Sequence, residues 1–190
     1  MILLLEERLG ADLNKYWFGI EVAHVDLGRN SNQKVALIVV RDSSGRFVVH
    51  PFSNIVFEYW KGKDYNTQKT NITPIIKFLN WLLKEENRVR IRWNKIQLSK
   101  LHPDIVSLFL NDCCREGLLE STVRKYEKSL TVFMNFLMHY KILDQSIIDT
   151  LIHAKVNNAR YFEVIRYNRE NSNQLHELQK EFIIPFIRLA

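Results

Sequence analysis

The chain has 190 residues, 46% hydrophobic and 25% charged, the composition of a globular protein with room for one domain or two small ones. Six glycines and four prolines leave little material for long loops, and the mixture excludes collagen-like, low-complexity and disordered classes. The formal net charge is +6, apolar runs such as Val35–Val40 fall far short of the roughly 18 residues of a membrane span, and the adjacent pair Cys113-Cys114 is no disulfide framework and fits a reducing, cytoplasmic setting.

In chain order, Met1–Leu5 is apolar but is stopped by Glu6 and Glu7 with no basic segment before it, so it does not read as a signal peptide. Residues 1–15 instead read as a short amphipathic helix through Leu3, Leu4, Leu5 and Leu9. Two β-branched runs, 35–41 and 46–50, flank Asp42-Ser43-Ser44-Gly45, the pattern of a hairpin that Pro51 ends. From Phe52 the period turns helical. A short helix is expected over 52–60, with Phe52, Ile55, Val56 and Tyr59 on one face. Ile72, Ile75, Ile76, Leu79, Leu82 and Leu83 repeat at three and four, with Thr73 as N-cap and Pro74 in the first turn of a helix over 73–84. Pro103 opens a helix that buries Ile105, Val106, Phe109, Leu110 and Cys113 and ends at Gly117.

The clearest helix spans 121–141, with Val123, Tyr126, Leu130, Phe133, Met134 and Leu137 as its apolar stripe. A short helix follows at 145–155. Residues 157–173, rich in Asn and charge, read as a linker, and an apolar segment lies at 182–187. A weak internal echo relates Asn66–Lys69 and Phe78–Leu82 to Ser121–Arg124 and Phe133–Leu137 at an offset of 55; helix patterning alone imposes much of that match.

The excess charge is local. Residues 69–100 carry eight basic side chains against two acidic ones, and the remaining residues balance. That is the footprint of a polyanion-binding surface, or an ordinary solvated face. On the 121–141 helix Arg124, Lys128, Thr131 and Asn135 form one polar stripe at steps of four, three and four. On the 73–84 helix Lys77, Asn80 and Lys84 do the same, with Lys69 just upstream. Lys and Arg neutralise phosphates, while Asn and Thr position a backbone or reach base edges.

The run Phe57-Glu58-Tyr59-Trp60-Lys61-Gly62-Lys63-Asp64-Tyr65-Asn66-Thr67-Gln68-Lys69-Thr70, followed by Phe78-Leu79-Asn80-Trp81-Leu82, resembles the core-binding domain of tyrosine recombinases (the phage integrase family). So does Ser121-Thr122-Val123-Arg124-Lys125-Tyr126 with Leu130, Phe133, Phe136 and Leu137, and the preceding hairpin resembles an integrase arm. The resemblance covers about residues 35–156. It implies a mainly α fold, a four- to five-helix SAM-like bundle with a small N-terminal β-hairpin. The division would be an arm region over 1–50, a DNA-binding domain over 51–156, and a linker with the opening of a catalytic domain over 157–190. It places double-stranded DNA against Thr67, Lys69, Lys77, Thr122, Arg124, Lys125 and Lys128, to which the charged stripe adds Lys84. Pro74 should interrupt a helix running from 66 to 84 and leave Thr67 and Lys69 in a turn.

The family's chemistry is not recognisable here. No His among the six is followed three residues later by Arg, so the chain is expected to bind DNA at a recombination site without cutting it. No dinucleotide, Walker, nucleophile-elbow or zinc-protease motif is present, and no cofactor or metal is expected. Cys113 and Cys114 point in different directions on a helix and read as small hydrophobes. Tyr126 reads as core with a partnered hydroxyl, and Trp60, Trp81 and Trp93 as packing residues rather than base-stacking ones. The alternatives are a stand-alone helical interaction module that docks, or self-associates, through the apolar segment 182–187, and a truncated recombinase that regulates.

Overall fold

A computed structural model describes residues 15–26, 32–157 and 161–164. The architecture is mainly helical with a small antiparallel sheet on its N-terminal side. The sheet has three strands, β1 (Tyr16–Asp26), β2 (Asn32–Asp42) and β3 (Phe47–Val49), in the order β1-β2-β3. The expected hairpin is β2–β3. Its Asp42–Gly45 turn is held by the Asp42 carboxylate, which accepts from the Ser44 and Arg46 amides at 2.9 and 3.1 Å, with Gly45 at φ 81°. β1 was not anticipated, although it pairs with β2 along its whole length. The expected 1–15 helix, the greater part of the 157–173 linker and the 182–187 segment lie outside the described residues.

Six α-helices follow: α1 (Asn54–Tyr59), α2 (Tyr65–Leu83), α3 (Glu85–Arg90), α4 (Pro103–Arg115), α5 (Glu120–His139) and α6 (Gln145–Val156). The first begins as a single 3-10 turn over Pro51–Ser53. α3 was not read from the sequence. The short spacer Gly117 ends α4 as expected, at φ 84°.

Pro74 does not break the helix. α2 runs continuously from Tyr65 to Leu83 with Pro74 buried inside it, and its N-cap is Asp64 rather than Thr73. Asp64 accepts from the Thr67 amide at 2.9 Å and from its hydroxyl at 2.5 Å, so Thr67 and Lys69 stand in the first turns of the helix and not in a loop. Thr73 donates its hydroxyl to the Lys69 carbonyl at 2.7 Å, in the turn that Pro74 disturbs. An interior proline costs about 3 kcal/mol. Ile72, Ile75, Phe78 and Leu82 are all fully buried, and at about 1.5–3 kcal/mol each their burial outweighs that cost.

α2 is the hub. Phe78 and Trp81 pack on Phe109 of α4, at ring separations of 5.4 and 5.9 Å. Phe52 sits edge-on to Phe133 of α5 at 5.2 Å. The internal echo is realised as two helices whose first residues are 55 apart, and Ile75, Phe78 and Leu82 of α2 correspond to Leu130, Phe133 and Leu137 of α5, all at 0% exposure.

The sheet shares this core. Phe18, Val35, Ala36 and Ile38 belong to the same buried cluster as the helices, so a boundary at residue 50 runs through packed side chains. Polar groups fasten it as well. Gln68 of α2 is buried, accepts from the Ala36 amide at 2.9 Å and donates to the Lys63 carbonyl at 2.9 Å. Asn80 accepts from the Phe18 amide at 2.7 Å and donates to the Phe18 carbonyl at 3.0 Å. At the far side of α4, Phe162 is buried in the core, and Glu163 accepts through its carbonyl from Asn111 at 3.3 Å and donates its amide to Ser107 at 3.0 Å. The four residues 161–164 are therefore anchored packing rather than linker.

Two predictions follow from this junction. Gln68→Leu keeps the volume but strands the Ala36 amide and the Lys63 carbonyl. Buried unsatisfied groups cost about 1–3 kcal/mol each, so the urea midpoint should fall by the equivalent of about 3 kcal/mol. His50 is buried between Phe18 and Phe52, at ring separations of 5.4 and 4.3 Å, and its Nδ1 accepts from the Phe52 amide at 3.2 Å. Burial lowers its pKa from 6.5 to about 4. The unfolded chain therefore binds this proton first as pH falls, and stability present above pH 6.5 is lost down to about pH 4. Urea midpoints should decline between pH 7 and 5.5, above the carboxylate range, and the decline should vanish in His50→Asn.

Candidate nucleic-acid interface

α2 and α5 pack against each other through Lys77 and Tyr126; α5 turns a polar stripe outward, whereas the α2 stripe is interrupted at Asn80, which faces β1. At about 100° per residue, Arg124, Lys128 and Asn135 stand opposite the buried Tyr126–Leu130–Phe133 side of α5, Lys125 lies on its flank, and Thr122 lies on the buried side in the first turn. Lys69, Lys77, Lys84, Arg124, Lys125 and Lys128 are exposed, and Thr67 and Thr122 are half-buried.

The structure brings these side chains together unevenly. Lys77 donates to the Tyr126 hydroxyl at 2.7 Å and lies 5.2 Å from its ring centroid. It ties α2 to α5 and satisfies the hydroxyl of a buried tyrosine. Arg124 pairs with Glu120 one turn back at 2.7 Å, an exposed i,i+4 pair worth a few tenths of a kcal/mol. The side chains of Lys69, Lys84, Lys125 and Lys128 have no hydrogen bond or ion pair among the described residues.

Asp112 of α4 fixes the adjoining end of the bundle. It accepts from Trp81 Nε1 at 3.1 Å, from Arg90 at 2.7 and 3.2 Å, and from Arg115 at 3.4 Å. Burial pushes its carboxyl up, and the bonds from Arg90 and Trp81 more than offset that, leaving it below its ordinary value. Because Arg90 is bonded to Asp112 and α4 hands over to α5 through the Gly117 turn, the segment around α3 lies toward the end of the bundle where α5 begins. The side chains of Arg88 and Arg92 in this segment have no partner among the described residues. They were part of the charge count but not of the expected contact set.

The basic stretch 69–100 is not one patch. Ser99 accepts from the Asp144 amide at 2.7 Å, and Asp144 follows the far end of α5. Twenty residues of helix separate the two ends, about 30 Å. Lys100 therefore sits across the molecule from Lys84, Arg88 and Arg92. A sequence window sums charges that a folded chain distributes.

The uncharged members of the stripes are mostly committed. Thr67 caps α2 through Asp64, and Asn80 holds the Phe18 backbone. Thr131 donates to the Glu127 carbonyl at 2.9 Å, and Asn135 accepts from Tyr161 at 3.4 Å. Of these candidates Thr122 alone keeps a side chain without a hydrogen bond among the described residues. What the face offers a ligand is chiefly charge.

Neither a protein-family model, nor a curated protein, nor a solved structure matches the chain. Among the described residues no group of three or more His, Cys, Asp or Glu side chains is placed to hold a metal ion, and no helix is long and apolar enough to cross a membrane. Cys113 is buried and its thiol is pushed up to about 12, first by burial, which leaves it a small apolar group. Trp60, Trp81 and Trp93 are buried packing residues.

Asp112→Ala would strand the Trp81 indole N–H and release Arg90. Its cost should be about 2 kcal/mol, read as a lower urea midpoint with unchanged helical circular dichroism at low denaturant.

Proposed function

We propose that this chain binds duplex DNA through the exposed face of α2 and α5 and the adjoining α3 end. In this reading it is the DNA-positioning portion of a tyrosine recombinase or integrase, with the helices forming the SAM-like core-binding bundle. The observation that carries it is a set of cations whose side chains have no partner among the described residues: Lys84 and Arg88 around the end of α2, Lys125 and Lys128 in the first half of α5, and Lys69 near the start of α2. Like charges this close cost stability in the free protein, and a phosphate backbone removes that cost while releasing its counterions.

Lys77 has a different role from the one expected of it. With its ammonium on Tyr126, it fixes the angle between the two DNA-facing helices. Cleavage and rejoining belong to a separate catalytic domain in this reading, since no His-x-x-Arg stands in the sequence.

The test is fluorescence-anisotropy binding to a random duplex at several salt concentrations. Affinity in the micromolar range is expected, with a log–log slope near −0.9 per phosphate contact. Arg124→Ala with Lys128→Ala should weaken binding about tenfold and flatten the slope by about two units. No binding at low salt overturns the proposal; unchanged binding by the double variant removes α5 from the interface.

A further inference from the structure

Three helices end in the same way. α3, α4 and α5 each close with paired bonds from the two residues after the last turn: Arg92 to Val89 and Trp93 to Arg88 at 3.0 and 2.8 Å, Gly117 to Cys114 and Leu118 to Cys113 at 3.0 and 3.1 Å, Lys141 to Met138 and Ile142 to Leu137 at 3.0 and 2.9 Å. This closure places one residue in the left-handed region, where glycine is favoured and a side chain is strained. α4 uses Gly117 at φ 84°, whereas α3 uses Arg92 at φ 58° and α5 uses Lys141 at φ 52°.

The two strained cations are not equivalent. A positive side chain near a helix C-terminus is favoured by the helix dipole. That accounts for Lys141, since His139 is the only basic residue in the last turn of α5. α3 is a six-residue helix whose last turn already carries Arg88 and Arg90. Among the described residues only Arg90 of these pairs with a carboxylate, that of Asp112, and Arg92 adds a third guanidinium to this short segment. Trp93, which follows it, is buried and locks the turn, leaving Arg92 exposed. Position 92 thus carries backbone strain, and its side chain has no partner among the described residues.

We infer that Arg92 is a phosphate contact for a duplex seated on the α2–α5 face, retained there against the stability of the free protein. The inference rests on the DNA-binding reading above and extends the contact set around the end of α2.

The experiment uses the full chain, a random 24-base-pair duplex and thermal melts of the free protein. Arg92→Gly and Arg92→Asn relieve the strain and remove the charge. Both should raise Tm by about 2 °C, weaken DNA binding about fivefold and flatten the salt slope by about one unit. Arg92→Lys should keep the affinity within about twofold without the gain in Tm. Lys141→Gly, with the same backbone geometry at the opposite end of α5, should raise Tm and leave the affinity unchanged. The inference is overturned if Arg92→Gly and Arg92→Asn bind as the wild type does, if neither raises Tm, or if Lys141→Gly loses as much affinity as Arg92→Gly. If the wild-type chain binds no DNA while folding normally, the reading beneath the inference fails first.

Discussion

The backbone of β2 needs more hydrogen-bond partners than its neighbouring strand supplies. β3 covers only Val39–Arg41, and the next groups on that edge, at Ile38 and Ala36, are fully buried. A buried amide or carbonyl without a partner costs several times the net worth of an ordinary hydrogen bond. The chain meets this with side chains from the helical part. His50 donates its amide to the Ile38 carbonyl at 2.8 Å, Ser53 accepts from the Ile38 amide at 2.9 Å and donates to its carbonyl, and Gln68 takes the Ala36 amide. β1 is treated likewise by Asn80. Helical side chains thus occupy the edge of β2 beyond β3 and the Phe18 position of β1, which blocks those positions from pairing with other chains and ties sheet and bundle together.

The same constraint explains what was legible in the sequence. Helices that bury one stripe announce themselves by period, and the expected segments at 103–117, 121–141 and 145–155 lie within two residues of α4, α5 and α6 at most ends. The first half of α2 is hidden because Pro74 locally signals a helix start. The penalty is real, but the burial of Ile72, Ile75, Phe78 and Leu82 is set by the whole molecule. β1 hid for another reason. Tyr16–Asp26 places Glu21 and His24 among its apolar residues, and only the partner strand shows that Arg41 pairs with Glu21 across the sheet and lies over the Gly19 position, its Nε 3.1 Å from where a Cβ would stand. Gln68 and Asn80 sat in helical polar positions that periodicity assigns to solvent. Their work is to satisfy backbone groups thirty-two and sixty-two residues away, and no local pattern carries that information.

The candidate site was legible as charge and illegible as geometry. Arg124, Lys125 and Lys128 stand where their spacing puts them, because a straight helix maps sequence onto a face. The 84–100 segment bends through α3 and a long connection, so its cations divide between the two ends of α5. Lys77 had the right spacing for a ligand-facing residue, yet Tyr126 beside it is buried and its hydroxyl needs a partner. A lysine on that seam meets the need.

Which side chains remain free determines what a surface can recognise. Discrimination between bases needs donors and acceptors aimed into a groove, and here Thr67, Asn80, Thr131 and Asn135 already spend theirs on the fold. The cations that remain neutralise phosphates, which are the same in every sequence. If this face binds DNA as proposed, the binding is strong at low salt, weak at high salt, and has little regard for sequence. On the proposed reading the chain's contribution to a site-specific reaction would be orientation: two helices tied to each other by Lys77 and Tyr126 and to a sheet by Gln68 and Asn80, held on the DNA backbone by charge. Selection of a particular sequence would then come from contacts outside the α2–α5 face.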